Sequence, residues 1–258
     1  MSGNGNPVLW HIPVSHYSEK ARWALAYKDV EHDRHVAPAG THPAVALALT
    51  RGQCNTFPVL RLEGRNIGDS TAIIAALEEL KPDPPLYPAD PDERRRALEL
   101  EEWFDEHLGP QLRLYAWHEF VMNQAHLESI SLKMAPALRR FPTVAAQATR
   151  AFVSLRFKVS SREAAEQAKG DVLKALDRLE SELGDSEYLA GDSFSVADLT
   201  AAALFYPLAL PPEGPQQISD PPDRYEQFRA PLKERPGFRW IEEMYRRHRR
   251  PAAVATSS

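Results

Sequence analysis

Residues 57–74, FPVLRLEGRNIGDSTAII, place a proline at the start of one short apolar run and an Asp-Ser pair, eleven residues later, at the start of another. The spacing predicts a β-hairpin, Val59–Leu62 and Arg65–Ile67 around Glu63-Gly64, running directly into a helix that Ser70 caps. Unpaired N–H groups and the positive end of the helix dipole meet at such a terminus, so it binds carboxylates. Asp69-Ser70-Thr71 therefore suits the amino-acid end of a peptide-like ligand, with Asp69 facing an ammonium and Ser70 a carboxylate.

Upstream, residues 8–25, VLWHIPVSHYSEKARWAL, read as a strand (Val8–Ile12), a turn at Pro13 and a helix over 18–28. Ser15 or Ser18 serves as its N-cap, and Tyr17, Ala21, Ala24 and Leu25 fall on one face at helical spacing. Together the two stretches resemble the glutathione S-transferase family. Ser15-His16-Tyr17-Ser18 stands where thioredoxin-like folds carry Cys-x-x-Cys, and Phe57-Pro58-Val59-Leu60 where they carry a cis-proline. Residues 189–199, LAGDSFSVADL, resemble the capping-box segment of the family's helical domain, so the likeness reaches both halves of the chain.

The fold class this implies is α/β plus all-α, a thioredoxin-like N-terminal domain followed by a C-terminal helical bundle. Length and composition agree: 258 residues with 43% hydrophobic content supply a core of one large or two smaller domains. Five prolines in Lys81–Asp92, KPDPPLYPADPD, cannot continue a helix or a central strand and read as a linker. The division expected is residues 1–80 for the thioredoxin-like domain, 81–92 for the linker, 93–250 for the helical domain and 251–258 for a disordered tail.

Within the first domain the order strand 8–12, helix 18–28, strand His32–Val36, short helix Ala44–Thr50, hairpin and helix 70–80 gives βαβ followed by ββα. Beyond the linker, Glu93–Asn123 is a long helical run broken near Gly109-Pro110; Val144–Val159 and Ala168–Leu183 follow, the last with Val172, Leu176, Leu179 and Leu183 on one stripe. Ser195-Val-Ala-Asp198 is a capping box with Asp in place of Glu, with Phe194 and Leu199 as its staple, opening a buried helix that ends at Pro207. Eight prolines in 207–236 predict an extended surface segment, and Gly237–Arg249 a last helix.

A net charge of −5 with both signs interspersed gives no basic field for nucleic acid, and no stretch reaches the length of a membrane span. The start of the chain has no charged-then-apolar leader pattern, so a cytoplasmic protein is expected. One cysteine, Cys54, excludes an internal disulfide framework, and the nine histidines show no metal-ligand spacing, so no metal is expected.

The resemblance implies glutathione as co-substrate, no permanently bound cofactor, a small hydrophobic electrophile as second substrate, and a homodimer. At a thiol pKa of about 8.5 only a few per cent of free glutathione is thiolate at pH 7. Lowering that value by roughly two units needs about 2.7 kcal/mol, within reach of one charge-assisted hydrogen bond backed by a helix dipole. Ser15, first in the four-residue motif, is the expected donor, with Ser18 as runner-up; either serine can also be a plain cap. Thr56, Phe57 and Pro58 would present a backbone edge to the cysteinyl part, Pro58 following a cis bond, while Asp69 and Ser70 hold the γ-glutamyl group. His16 reads as an exposed loop histidine beside the sulfur, and Cys54 as a structural thiol. Gly109–Phe120, with Leu112, Tyr115, Trp117 and Phe120, is the region expected to line the electrophile site, no single residue being assigned. Two other readings stay open: a noncatalytic module used for protein association, and an enzyme using another low-molecular-weight thiol.

Overall fold

The computed structural model describes residues 6–37, 40–134, 138–157, 159–215 and 221–250; the tail expected at 251–258 lies outside them. Strands β1 (Val8–His11), β2 (Asp33–Val36), β3 (Val59–Leu62) and β4 (Arg65–Gly68) form one sheet in the order β2-β1-β3-β4. β2 lies parallel to β1, reached through helix α1 (His16–Tyr27), whereas β3 and β4 pair antiparallel, with Trp10 opposite Val59 and Leu60 opposite Ile67. The β3–β4 turn works because both Glu63 and Gly64 adopt positive φ, the combination whose twist matches that of the flanking strands.

The period-two alternation of β3 separates two cores. Leu60 and Leu62 join Leu9, Leu25, Ile73 and Leu77 on the face covered by α1 and by α3 (Ser70–Leu80). Val59 turns the other way, to Phe57, Ala37 and Ala46 of helix α2 (His42–Leu49). The first core is continuous with the helical half, where Phe104, Leu176, Leu199 and Phe205 belong to the same buried cluster.

Residues after α3 reach α4 (Pro91–His107), capped by Asp90, whose carboxylate accepts the Asp92 and Glu93 N–H groups. The long run breaks at Leu108 into α4 and α5 (Gly109–Met122), as the Gly-Pro pair predicts. Then come α6 (Gln124–Met134), α7 (Pro142–Phe157), α8 (Arg162–Leu183), α9 (Val196–Ala209), α10 (Asp223–Arg229), a 3-10 turn at Ala230–Glu234 and α11 (Pro236–His248).

Several expectations are corrected. α1 begins at His16, two residues earlier than expected, because Ser15 caps it. Asp69, not Ser70, caps α3: its carboxylate accepts the Thr71 and Ala72 N–H groups at 2.9 and 3.3 Å. α9 runs through Pro207 to Ala209, because Arg229 donates to the carbonyls of Leu208 and Ala209 and Tyr225 to that of Pro207, satisfying the helix end. The proline-rich stretch after it is therefore not simply extended: Tyr225 and Phe228 of α10 are buried. The helix α6 was not anticipated. Asp198 does form the capping box, accepting from both the backbone N–H and the hydroxyl of Ser195 and from the Leu189 N–H.

Candidate active site

A cleft of about 730 Å³ opens between the ends of β1 and β3 and helices α4, α5 and α7, and Ser15, Thr56, Phe57, Pro58, Asp69 and Ser70 all line it. Six positions spread over 56 residues of sequence thus meet on one wall because the β1–α1 turn, the loop before β3 and the β4–α3 junction all lie at one end of the sheet.

Ser15 stands at the α1 N-terminus with extended backbone, and its Oγ accepts the Ser18 N–H at 3.2 Å. That bond uses a lone pair and leaves the hydroxyl proton for a ligand. The turn carrying it is held from below. Arg22, buried, donates to the carbonyls of Ile12, Pro13 and Ser15, while Glu19 accepts from Arg22 at 2.8 Å and from Arg249 at 2.6 Å. Arg22 also meets His11 Nδ1 at 2.9 Å, and burial together with that guanidinium pushes the His11 pKa down to about 3.

Ser18 is fully buried. Its Oγ accepts the Ile12 N–H at 3.1 Å, and it is absent from the cleft wall. His16 is likewise not the exposed loop residue expected: it is 3% exposed, packs its ring 4.7 Å from that of Tyr17, and has its pKa pushed down to about 3 by burial and by Arg113. It is therefore neutral at physiological pH and offers no positive charge to a sulfur. Its Nε2 has no hydrogen-bond partner among the described residues. The Tyr17 hydroxyl, also in the cleft wall, donates to the Asp105 carbonyl at 2.6 Å, which commits its proton.

Phe57 and Pro58 are joined by a cis bond and are buried, while Thr56 sits exposed at the rim. Cys54 stands outside the cleft wall, its Sγ 3.3 Å from the Thr56 carbonyl and its Cβ packed close against Gly68. Asp69 holds φ +77° and ψ +137°, a conformation costing a non-glycine residue about 1–3 kcal/mol, and it remains exposed to the cleft although its carboxylate caps α3. Beside it Lys20, without solvent exposure, donates to Thr71 Oγ1 at 2.9 Å and pairs with Glu101 at 2.8 Å and with Asp105. Burial would lower the Lys20 pKa, but Asp105 and Glu101 outweigh it and hold the ammonium charged, with the value raised.

The far wall differs from expectation. Leu112 and Tyr115 turn into the core, leaving Arg113, Trp117 and Phe120 of α5 in the cleft. The α6–α7 hairpin adds Met134, Phe152 and Phe157, and Phe152 meets His42 of α2 edge-on at 4.7 Å. The sequence expectation includes a helix at Val144–Val159, close to α7, but neither α6 nor a place for Arg113 and α7 in the cleft, although Leu127, Ile130 and Met134 carry a helical spacing that marks α6.

Comparisons with known proteins match this architecture. Residues 9–85 fit the model of the glutathione S-transferase N-terminal domain, and residues 162–230 that of its C-terminal domain. A probable maleylacetoacetate isomerase of Caenorhabditis elegans is 26% identical over 205 residues, 79% of each chain. FtsZ-localized protein A of Caulobacter vibrioides is 26% identical over 198 residues, 76% of this chain and 74% of that one. The solved theta class glutathione S-transferase of Xanthomonas axonopodis pv. citri, with glutathione bound, superposes with a TM-score of 0.60 at 18% identity, over 97% of this chain and 100% of that one. With one model on the sheet and its flanking helices and the other on the helical half that contains the α9 capping box, the chain belongs to the glutathione S-transferase family.

Proposed function

We propose that this protein binds glutathione along the Ser15 wall of the cleft and transfers its thiolate to small electrophiles. The observation that carries the reading is the Ser15 hydroxyl: it stands in the cleft at a helix N-terminus, accepts one N–H and keeps its proton to donate. Donated to sulfur, that proton stabilises the thiolate, and the released thiol proton goes to solvent. The edge at Thr56, Phe57 and Pro58 takes the cysteinyl backbone, Asp69 the γ-glutamyl ammonium and Ser70 its carboxylate. The strained backbone of Asp69 supports this assignment, since such conformations concentrate at ligand clamps. In transfer, a sulfur–carbon bond forms while the leaving group departs with its electron pair, or the π pair of an activated alkene moves and its carbon takes a proton from water. Holding both reactants in one cleft supplies much of the rate. The division at 81–92, a homodimer and a cytoplasmic location belong to the same proposal.

Calorimetric titration with glutathione tests it. Saturation at millimolar concentration or below is expected, and no heat at any concentration would remove the reading. The likeness to FtsZ-localized protein A favours a second one, protein association without thiol chemistry, and a silent titration would leave that reading standing.

A further inference from the structure

Arg113 lies in the cleft opposite the thiol wall, without a counter-ion among the described residues. Its Nε is buried and has no hydrogen-bond partner, and among the described residues no carboxylate lies within ion-pair distance of it. Its guanidinium carbon lies 4.5 Å from the Phe157 ring centroid and 5.7 Å from that of Tyr17. Burial lowers its pKa, Tyr17 offsets part of that, and repulsion from Arg156, the cation nearby, lowers it a little further. Of the carboxylates that line the cleft, Glu101 and Asp105 are bound to Lys20 and Asp69 caps α3, while Glu102 and Glu106 of α4 make no ion pair with Arg113.

A half-buried guanidinium whose Nε is shut off from water without a partner is an unfavourable arrangement that an incoming carboxylate relieves. Its planar fork matches a carboxylate bidentately, and Trp117, Phe152 and Phe157 beside it are flat apolar surfaces. We propose that the second substrate is an acid, a carboxylate on a flat unsaturated body, and that Arg113, with Arg156 at the mouth, receives the carboxylate. This rests on the reading of the Ser15 wall as the thiol site.

The test pairs 4-acryloylbenzoate with its methyl ester as acceptors for glutathione. Sulfur adds to the terminal vinyl carbon, the π pair passes to the ketone oxygen as an enolate, and the adjacent carbon takes a proton from water. With each rate divided by its uncatalysed rate, the acid is expected to exceed the ester in kcat/KM by about tenfold or more. Arg113→Met should bring that ratio to about one, and Arg113→Lys should keep part of it. A ratio of one in the unaltered protein, or an undiminished ratio in Arg113→Met, overturns the proposal. So does a loss of glutathione affinity in Arg113→Met with the acid preference intact, which would assign the guanidinium to the thiol. Binding of the unreactive 4-propanoylbenzoate, followed by saturation-transfer NMR without any thiol, separates the two readings. If it binds better than its ester while glutathione gives no heat, the anion site stands and the thiol reading fails; if glutathione binds and the acid shows no advantage, the anion site alone fails.

Discussion

Lys20 Nζ and the Glu101 carboxylate meet at 2.8 Å with the two side chains 0% and 2% exposed, joining α1 to α4 by a buried ion pair at the cleft wall. Thr71 and Asp105 complete the group, so the first helices of both halves and the start of α3 are fixed to one ammonium.

Removing that ammonium leaves the buried Glu101 carboxylate beside that of Asp105, which is 18% exposed, with no cation between them. Lys20→Met should cost about 3–5 kcal/mol, read as a lowered urea midpoint, because the loss of one partner strands the other charge. A change under about 1 kcal/mol would mean that water reaches Glu101.

Ser15→Ala should raise the pKa of bound glutathione by about one to two units, followed by thiolate ultraviolet absorbance, with affinity nearly unchanged. Loss of the cap costs about 1 kcal/mol of stability as well. Ser18→Ala makes the control: it orphans the Ile12 N–H, costs about 1–3 kcal/mol and leaves the thiol titration where it was. The reverse pattern would move the activating role to Ser18.

Asp69→Asn keeps a side-chain oxygen for the α3 cap and removes the negative charge. Stability should stay within about 0.5 kcal/mol while glutathione affinity falls about tenfold by calorimetry. Unaltered affinity would detach Asp69 from the γ-glutamyl ammonium.

His16 is neutral in the folded protein down to about pH 3, whereas its unfolded value is near 6.5. The contribution is therefore complete above pH 6.5 and is lost as pH falls toward 3, since the unfolded chain takes up the proton first. His11 acts in the same direction. Burial raises Asp198 to about 6, which works oppositely: its contribution is full below about 3.8 and lost as pH rises through 6. His16→Leu should flatten the acid limb of stability between pH 6.5 and 4 by up to about 1.4 kcal/mol per pH unit, measured by urea unfolding. An unaltered slope would mean that the imidazole is hydrated.

A Cβ on Gly109 would fall 2.1 Å from the Tyr17 hydroxyl. Gly109→Ala should therefore break the Tyr17–Asp105 bond and cost about 1–3 kcal/mol, with a shifted tyrosine environment in near-ultraviolet dichroism.

The sheet and its helices were legible because their signals are local: alternation in Val59–Leu62, the Glu63-Gly64 turn, and an Asp-Ser pair where a helix begins. That Ser15, Thr56, Phe57, Pro58, Asp69 and Ser70 share one cleft was legible for the same reason, each lying at or beside an element's end. What escaped depends on distant partners. Pro207 looks like a stop until Arg229, 22 residues on, caps the carbonyls beyond it. Arg113 carries no local mark that sets it apart until α7 closes beside it, and His16 reads as a loop residue until Tyr17 and the α5 start cover it. α6, the helix not expected, is held against α7 by buried contacts among Leu127, Ala146 and Val153, a weak pattern in isolation.

The α6–α7 hairpin lies between the two segments that match the family models. The wall that α6 and α7 lend the cleft and the wall that carries Ser15, Pro58 and Asp69 thus come from separate stretches of the sequence. Lengthening, trimming or resurfacing α6 or α7 would redraw one wall of the cleft while Ser15, Pro58 and Asp69 stay where the sheet holds them, so the shape of the cleft can change without rebuilding the sheet.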